Sequence, residues 1–394
     1  MTAPIFDVLI VGGGVMGCAI AYHLRRAQPD CRVGVIEKDF TYAKASTLLS
    51  DGNTRVQFNL KENIQISLYG LERLRTFAEE MAVNGVMPEV SFRQQGNLFI
   101  VDEASREESE RGLELQKRLG AQVAWLTPAE VRAAYPLIDA APRAVGGTFG
   151  PLDGTLSPMG ILLGYKHKAA ELGSRFIEAE VVNIIREGNR VSGVKLSTGE
   201  NLNAPVVVNA AGPWAARVAQ TAGVKLPVVP IKRQVTIVEI NARPPKILPG
   251  IFFPSGLYCF HEGDGVFTCG KSFADDPETL DDFTWHRSFF EERLWPELIE
   301  WMPSFDRLKI LRGWAGLYEV NTLDGNAILG EWPEVHGLYL ANGFSGHGFQ
   351  QCHAVGRYLA ELILGQPPQL DLSIFSPSRI LENKPVFESH RKLI

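Results

Sequence analysis

The pattern of apolar and polar positions over residues 6–37 predicts a strand, a helix and a second strand. Apolar runs at residues 6–11 and 33–36 have the length of buried strands, and the amphipathic stretch between them, which reaches about Arg26, has helical spacing. Glycines occupy the turn between the first strand and the helix, and Glu37 follows the second strand. This order of strand, tight turn, helix and strand is that of a βαβ unit.

The turn carries Gly12, Gly14 and Gly17 in the Gly-x-Gly-x-x-Gly spacing. In such a turn the first glycine allows the sharp bend, the second leaves the backbone bare where a pyrophosphate approaches, and the third lets helix and strand pack closely. The N–H groups at the start of the helix attract the pyrophosphate charge. Glu37 lies 20 residues beyond Gly17, where a carboxylate accepts hydrogen bonds from a ribose hydroxyl. Residues 6–37 therefore predict a dinucleotide site.

Further along the chain, helices and short strands are predicted in alternating groups. Asn59 and Glu62 resemble a capping pair in front of an amphipathic helix over residues 62–81. Other helix-like stretches lie at residues 104–119, 159–172 and 351–364. Strand-like segments lie at residues 97–101, 174–185, 190–196, 206–209, 228–240, 256–260, 265–270 and 337–341.

The Rossmann-like segments are interrupted twice by β-rich stretches, which predicts two interleaved domains. Residues 1–88, 150–216 and 313–394 are assigned to a discontinuous cofactor-binding domain. Residues 89–149 and 217–312 are assigned to a substrate domain. We expect the substrate site at the junction of the two domains.

Composition and charge narrow the class of protein. A length of 394 residues favours two domains, and 45% hydrophobic with 21% charged residues is ordinary for a soluble globular protein. The net charge of −6 argues against nucleic acid or an anionic membrane as the main partner, and no apolar run approaches the ~18 residues of a spanning helix. The early βαβ unit leaves no room for a cleavable signal, and five scattered cysteines without a CxxC pair favour reduced thiols. These features predict a cytoplasmic protein.

Four motifs occur together in the order used by one flavoprotein family. They are the glycine turn with Glu37, DGNTR at residues 51–55, VVNAAGPW at residues 207–214 and NGFSGHG at residues 342–348. The chain resembles the D-amino acid oxidase/sarcosine oxidase superfamily of FAD-dependent oxidoreductases from residue 6 to about residue 375. Within it, GWAGLYEVNTLDGNAILG and GFSGHGFQQCHAVGR are most similar to the FAD-dependent oxidoreductase domain-containing proteins.

The resemblance implies an α/β fold in which a Rossmann-like FAD-binding domain is interleaved with a substrate domain built on a large mixed β-sheet. The sarcosine oxidases attach FAD through a cysteine where this chain has Leu317, so non-covalent FAD is expected. The positions expected to bind FAD are Gly12, Gly14, Met16, Gly17, Glu37, Lys38, Ser46, Thr47, Val181, Val182, Ala211, Gly212, Trp214, Gly343, Gly346, His347, Gly348 and Gln350.

The loop at residues 343–348 has a role that follows from its place before a helix. Its N–H groups and the positive helix end converge on whatever lies there. Donors in that position stabilise negative charge on the pyrimidine edge of a reduced flavin. His347, inside the loop, either adds a donor to this edge or braces the turn.

Several residues depart from the sarcosine oxidase pattern. The two cations that hold the substrate carboxylate there are replaced by Phe58 and Gln350, and Arg312 is a candidate substitute, with a surface salt bridge as its alternative. The oxygen-activating lysine is replaced by Thr268, unless a shifted register places Lys271 there. Without that lysine the reduced cofactor should react slowly with O₂, which favours a different electron acceptor.

The candidates for the reaction itself are Arg55, Tyr258, His261 and His347. The resemblance places Arg55 beside the flavin, as a source of substrate or flavin electrostatics; an ion pair is the alternative. Tyr258 and His261 lie in a β-like stretch where a pocket wall is expected, and strict alternation points them to opposite faces. Each is a candidate orienter or base, and a structural role is open for both.

These inferences predict an FAD-dependent dehydrogenase or oxidase that oxidises the C–N bond of an amine or amino acid. Hydride passes to flavin N5 and the imine is hydrolysed. A secondary or N-methylated amino acid is the first expected substrate and a D-amino acid the second. No metal site or catalytic nucleophile is expected. A flavin-dependent hydroxy-acid dehydrogenase and a flavin-binding assembly factor are the alternatives, and the oligomeric state stays open.

Overall fold

The computed structural model describes residues 6–139 and 143–388. The strands, in chain order, are β1 (Val8–Val11), β2 (Val33–Glu37), β3 (Asn53–Thr54), β4 (Asn97–Val101), β5 (Ala124–Leu126), β6 (Gly146–Gly150), β7 (Gly154–Thr155), β8 (Arg175–Glu178), β9 (Val181–Glu187), β10 (Arg190–Leu196), β11 (Asn201–Asn203), β12 (Val206–Asn209), β13 (Val228–Ile240), β14 (Gly250–Phe252), β15 (Tyr258–Gly263), β16 (Val266–Gly270), β17 (Leu308–Asn321), β18 (Ile328–Glu331) and β19 (Leu338–Asn342).

The helices are α1 (Val15–Ala27), α2 (Lys61–Leu74), α3 (Phe77–Glu80), α4 (Arg106–Arg118), α5 (Pro128–Ala134), α6 (Pro158–Glu171), α7 (Ala215–Thr221), α8 (Arg287–Phe289), α9 (Trp295–Trp301), α10 (Gly348–Ile363) and α11 (Ser378–Leu381). Short 3₁₀ turns occupy Glu103–Ser105, Gly212–Trp214, Pro303–Asp306 and Ser373–Phe375, and a π-helical turn, Phe290–Leu294, joins α8 to α9.

The predicted βαβ unit is confirmed. β1 and β2 pair in parallel with Val8 opposite Val33, α1 connects them, and Glu37 is the last residue of β2. All four residues of β1 are buried, because helices cover one face of its sheet and a second layer covers the other.

Two predicted elements differ from the structure. The helix predicted over residues 62–81 is broken into α2 and α3, and Phe77 at the break packs edge-on against Tyr165 at 5.0 Å. The capping pair is wrong: the N-cap of α2 is Leu60, whose side chain makes no cap hydrogen bond. The N–H groups of Asn59 and Leu60 instead donate to the carboxylate of Glu388, near the other end of the chain.

A six-stranded sheet has the strand order β18-β19-β12-β1-β2-β8. Its neighbours are parallel except for β18, which is antiparallel to β19. α1 packs against α6 and α10 on one face, and the small β9–β11 sheet with α7 covers the other. The carboxyl ends of β1, β2 and β12 therefore meet at one edge, where ligands of such sheets bind.

The large mixed sheet implied by the resemblance is also present. Its eight strands have the order β17-β13-β16-β15-β14-β4-β6-β5, and only β4 and β14 pair in parallel. Alternate residues of its strands face two environments. Cys259, Phe267 and Val238 face an apolar core that α9 helps to build, whereas Tyr258 and Val235 face a cavity shared with the six-stranded sheet.

The division into domains stays a prediction. β4, β5 and β13–β16 lie in the two stretches assigned to the substrate domain, and all of them belong to the eight-stranded sheet. β17 continues that sheet across residue 313, so this predicted boundary falls inside a strand. Over the described ranges, the helices include none that is long and apolar enough to cross a membrane.

Candidate functional site

A cavity of about 1010 Å³ separates the edge of the six-stranded sheet from one face of the eight-stranded sheet. It begins at the glycine turn after β1 and reaches the face formed by β13, β15 and β17. Its wall contains most of the residues expected to bind FAD: Gly12, Gly14, Met16, Glu37, Lys38, Ser46, Thr47, Val181, Val182, Ala211, Gly212, Trp214, Gly346, His347, Gly348 and Gln350. Gly17 and Gly343 are not among the residues that line the cavity.

The three glycines of the turn have different neighbours. Gly12 has a φ of 101°, and a Cβ there would lie 2.3 Å from the carbonyl oxygen of Ala210. A Cβ at Gly17 would lie 2.0 Å from the carbonyl oxygen of Gly12. At Gly14 the nearest atom would be Oγ1 of Thr47, at 3.5 Å. Gly12 and Gly17 are thus needed by the fold itself, whereas Gly14 keeps space open on the cavity side.

The carboxylate of Glu37 is held in place by backbone donors. Its Oε2 accepts from the N–H of Gly13 at 2.8 Å, and its Oε1 accepts from the N–H of Asp39 at 3.1 Å. A Cβ at Gly13 would lie 2.8 Å from Cβ of Glu37, so this fourth glycine is also required. The sequence reasoning passed over Gly13, although its signal was the unbroken run of three glycines. The carboxylate is fixed at the cavity, as binding a ribose requires.

Ser46 and Thr47 connect the glycine turn to the second sheet. Oγ1 of Thr47 accepts from the N–H of Val15 at 3.2 Å, in the first turn of α1. Oγ of Ser46 donates to the carbonyl oxygen of Leu317 on β17 at 2.7 Å. Elsewhere on the cavity wall, Nζ of Lys38 lies 3.0 Å from the centre of the Trp214 ring, and burial lowers the pKa of Lys38.

The loop before α10 is held by the buried carboxyl group of Glu319. The N–H of Gly343 donates to Oε2 of Glu319 at 3.1 Å, and burial raises the pKa of Glu319 to about 8. Gly343, Ser345 and Gly346 all have positive φ, and a Cβ at Gly346 would lie 2.4 Å from the Tyr318 ring. The loop therefore brings the start of α10 to the cavity wall.

Arg55 lies beneath this loop, with His347 and Gln350 around it. Its Nη2 is 3.1 Å from Nε2 of His347, and its backbone N–H donates to Oε1 of Gln350 at 2.9 Å. Because a guanidinium only donates, Nε2 of His347 accepts, and a neutral ring then carries its proton on Nδ1. The guanidinium also lies 4.7 Å from the Phe58 ring and 5.5 Å from Phe252, and burial lowers the pKa of Arg55 to about 10.

Asp51 and Tyr258 form a hydrogen-bonded pair on the cavity wall. The hydroxyl of Tyr258 donates to Oδ2 of Asp51 at 2.6 Å. Oδ1 of Asp51 is buried and has no hydrogen-bond partner among the described residues. Burial raises the pKa of Asp51 to about 6, against the opposing effect of the Tyr258 hydrogen bond. Sequence reasoning used Asp51 only as part of a motif and did not predict it as a site residue.

Other candidates lie elsewhere. His261 faces the opposite side of β15, where its Nδ1 accepts from the N–H of Leu248 at 3.1 Å and its ring stacks on Phe267. Arg312 is exposed and outside the cavity wall. The structure therefore brings together Arg55, Tyr258 and His347 of the four catalytic candidates, and it separates His261 from them.

A glycine turn at the carboxyl ends of parallel strands, a fixed carboxylate and a large cavity are typical of a dinucleotide-binding protein. Residues 7–362 match the sequence profile of the FAD dependent oxidoreductase (DAO) family, and the chain belongs to this family. In an alignment of 413 positions it is 35% identical to FAD-dependent oxidoreductase domain-containing protein 1 of Bos taurus. The alignment covers 95% of this chain and 84% of the relative.

Two amino-acid enzymes are also similar to this chain. Glycine oxidase of Geobacillus kaustophilus is 27% identical, over 95% of this chain and 97% of that protein. The crystal structure of L-proline dehydrogenase from P. horikoshii matches with a TM-score of 0.85 and 28% identity, over 97% of this chain and 99% of the other. The resemblance to this superfamily is thereby confirmed.

The chain is thus an FAD-dependent enzyme. The space at Gly14, the N–H groups at the start of α1 and the fixed Glu37 carboxylate fit the dinucleotide part of FAD. The described cavity wall contains no cysteine, and Leu317 stands where the sarcosine oxidases attach the cofactor, so their bond to a cysteine has no counterpart at this position.

Proposed function

We propose that this protein oxidises the C–N bond of an amine or amino acid, with secondary or N-methylated amino acids first and D-amino acids second. FAD, when bound, supplies the hydride acceptor, N5 of the flavin. The imine product is hydrolysed after release. The observation that carries the proposal is the Asp51–Tyr258 pair, a partly satisfied carboxylate on the cavity wall.

Asp51 is suited to an amine because an amine must lose a proton before its α-carbon gives up hydride. With a pKa of about 6, the carboxylate is largely ionised at neutral pH. Oδ1 then accepts a proton or hydrogen bond from a substrate ammonium, while the Tyr258 hydroxyl holds Oδ2 in place. A hydroxy acid offers no cation to this carboxylate, so the pair favours an amine substrate.

Arg55 and the loop before α10 supply the opposite charge. The Arg55 guanidinium and the N–H groups of residues 346–348 place positive charge on the cavity wall. Such fixed donors stabilise negative charge that accumulates beside them. Phe252, Phe260 and Tyr258 pack against one another and form an aromatic wall of the same cavity.

We also propose an electron acceptor other than O₂. Nζ of Lys271 binds Oε2 of Glu297 at 2.6 Å, and this lysine is outside the cavity wall. Oγ1 of Thr268 donates to Glu262 at 3.1 Å. Neither position therefore supplies a lysine at the cavity.

An anaerobic titration of the FAD-loaded protein tests the proposal. Flavin bleaching is followed against N-methylated, cyclic and D-amino acids, with the hydroxy acid of the same carbon skeleton as the matched control. We expect bleaching by one amino-acid class. An open-chain substrate should give a carbonyl product with ammonia or an amine, and a cyclic substrate should give a cyclic imine or its ring-opened amino-carbonyl form. Readmitted air should reoxidise the flavin slowly, and an artificial quinone should do so quickly.

Bleaching by the hydroxy acids alone would contradict the proposal and support the hydroxy-acid dehydrogenase. If dithionite reduces the flavin but no substrate does, the proposed oxidation is wrong and the result supports a flavin-binding assembly factor. Asp51→Asn is the matched variant, because it keeps the shape of the side chain and removes its charge.

A further inference from the structure

Arg233 is one of three arginines on the cavity wall, with Arg55 and Arg217, and it lies on a strand of the eight-stranded sheet. It belongs to β13, opposite Gly316 of β17. Two residues along the strand, Val235 pairs with Gly270, whose other partner is Tyr258. Directly opposed residues share a face and alternate residues repeat it. Arg233 and Tyr258 therefore project from the same face of the eight-stranded sheet into the same cavity.

The guanidinium of Arg233 is held from one side. Its Nη1 binds the buried carboxylate of Asp276 and lies 3.3 Å from the carbonyl oxygen of Phe273. The same carboxylate oxygen accepts from the N–H of Phe273 at 2.9 Å, which fixes Asp276. The Tyr318 ring packs 5.4 Å from the Arg233 guanidinium carbon. The orientation of Arg233 is thus set by the protein and needs no ligand.

The Nε–H group of Arg233 differs from Nη1. Its Nε is buried and has no hydrogen-bond partner within the described residues. A buried donor without a partner is costly, and a guanidinium has five N–H groups in a fork that matches a carboxylate. An anion in the cavity would satisfy this part of the side chain.

We propose that Arg233 binds the carboxylate of the substrate while Asp51 binds its amino group, which makes the substrate an amino acid and not a simple amine. The proposal rests on the amine oxidation proposed above. The cavity then has a negative group and a positive group that match the two charges of a zwitterion. Tyr318 lines the cavity beside the Arg233 guanidinium, and burial, together with the negative charge of Asp51, raises the pKa of Tyr318 to about 12.

The other arginines considered for this role are placed differently. Arg312 is exposed and outside the cavity. Arg55 faces His347 and the rings of Phe58 and Phe252. Arg233 is the cavity guanidinium that lies beside Tyr318 on the sheet face shared with Tyr258.

Ligand binding without turnover tests this assignment. Pyrrole-2-carboxylate and the uncharged pyrrole-2-carboxamide are titrated into the FAD-loaded protein, and the shift of the flavin absorption spectrum gives each Kd. In the wild type we expect the carboxylate to bind more tightly than the amide. Replacing Arg233 alone would leave Asp276 unpaired, so the main variant is the double change Arg233→Gln with Asp276→Asn.

The double variant should weaken carboxylate binding by about 10-fold or more, as expected for loss of a charged hydrogen bond, and leave amide binding unchanged. Arg233→Lys, which keeps the charge and loses the fork, should give an intermediate Kd. Arg312→Gln should change neither Kd. FAD content and melting temperature show that each variant is folded.

A double variant that keeps the full preference for the carboxylate would overturn the assignment, and so would a wild-type protein whose spectrum responds equally to both probes or to neither. These results are independent of flavin bleaching. The two proposals can therefore fail separately. If Arg233 determines the preference for the carboxylate probe but no amino acid reduces the flavin, the amine oxidation is wrong and the carboxylate site stands.

Discussion

The ionisation of Asp51 controls the proposed reaction at the level of a single residue. Its carboxyl group has a pKa of about 6 and must be ionised to accept from the substrate. We expect kcat/KM to fall below about pH 6, by about tenfold per pH unit, because the protonated group cannot act as an acceptor. A pH profile of kcat/KM for the best substrate measures this limb.

Two variants test whether Asp51 causes this fall of kcat/KM at low pH, the acidic limb of the profile. Asp51→Asn should remove it and lower kcat/KM by about 10²–10⁴-fold. The hydrogen bond from Tyr258 lowers the pKa of Asp51, so Tyr258→Phe should raise that pKa and move the limb to higher pH. An acidic limb that stays at the same pH in both variants would show that another group is titrating.

Substitutions at two glycines of the turn should affect different properties, FAD binding at Gly14 and folding stability at Gly12. Gly14→Ala introduces a methyl group 3.5 Å from its nearest neighbour, at a φ of −64° that alanine accepts. The variant should fold but bind FAD about 10-fold more weakly, or worse, because the methyl group occupies the space of the pyrophosphate. FAD titration into the apoprotein measures the Kd.

Gly12→Ala is the contrasting variant. It combines a φ of 101° with a contact of 2.3 Å to the Ala210 carbonyl oxygen. The backbone strain alone costs about 1–3 kcal/mol, so this variant should lose unfolding free energy with or without FAD. Equal behaviour of the two variants in chemical denaturation would contradict the separation.

The residues predicted from the sequence were those that belong to short, ordered patterns. Glu37 and the Gly12, Gly14 and Gly17 turn follow from spacing alone, because the βαβ unit is a local structure. Asp51 and Arg233 become site residues only when β13 and β15 are placed opposite the glycine turn. No pattern in the sequence reports that placement.

At the level of elements, the start of α2 depends on a residue from the end of the chain. Glu388 accepts the N–H groups of Asn59 and Leu60 and the side-chain amide of Asn63. Glu388→Ala should lower the unfolding free energy by about 0.5–2 kcal/mol, the range for loss of a helix cap. Urea denaturation measures the change.

Glu382→Ala is the matched control, since Glu382 lies in the same terminal segment and forms an exposed ion pair with Lys384. Exposed pairs of this kind contribute little. An equal loss in both variants would mean that the terminal segment, rather than the cap, stabilises the fold. Residues 59 and 388 are too far apart in the chain for sequence spacing to connect them, which is why the local capping pair was predicted instead.

The strand predicted over residues 174–185 shows a second limit of local patterns. The structure divides it into β8, at the edge of the six-stranded sheet, and β9, in the three-stranded sheet. Hydrophobic periodicity reports that a segment is extended, but the choice of sheet depends on partners elsewhere in the chain. By contrast, β10 and β13 have the bounds that were predicted, because each is a continuous run flanked by turn residues.

At the level of the whole molecule, the cavity joins the two sheets. Its wall includes Gly12 and Glu37 from the six-stranded sheet and Tyr258 and Gly316 from the eight-stranded sheet. The interleaving of two domains was predicted from the alternation of segments, yet β17 crosses the boundary at residue 313. β17 therefore belongs to the eight-stranded sheet on both sides of that boundary, and a ligand that fills the cavity contacts both sheets.

FAD should therefore stabilise both sheets together. At about 100 times its Kd, a ligand that binds only the folded state adds about 2.7 kcal/mol to the unfolding free energy. Hydrogen exchange by mass spectrometry, with and without FAD, measures this gain in the amides that exchange by global unfolding. The gain should be equal in β1 and β12 of the six-stranded sheet and in β13 and β15 of the eight-stranded sheet. ADP fills only the nucleotide end, so its local protection should be confined to the glycine turn and β2. FAD should give additional local protection in β13 and β15. Local protection from FAD that is also confined to the glycine turn and β2 would show that the flavin does not reach the eight-stranded sheet, and the assignments of Tyr258, Asp51 and Arg233 would fail with it.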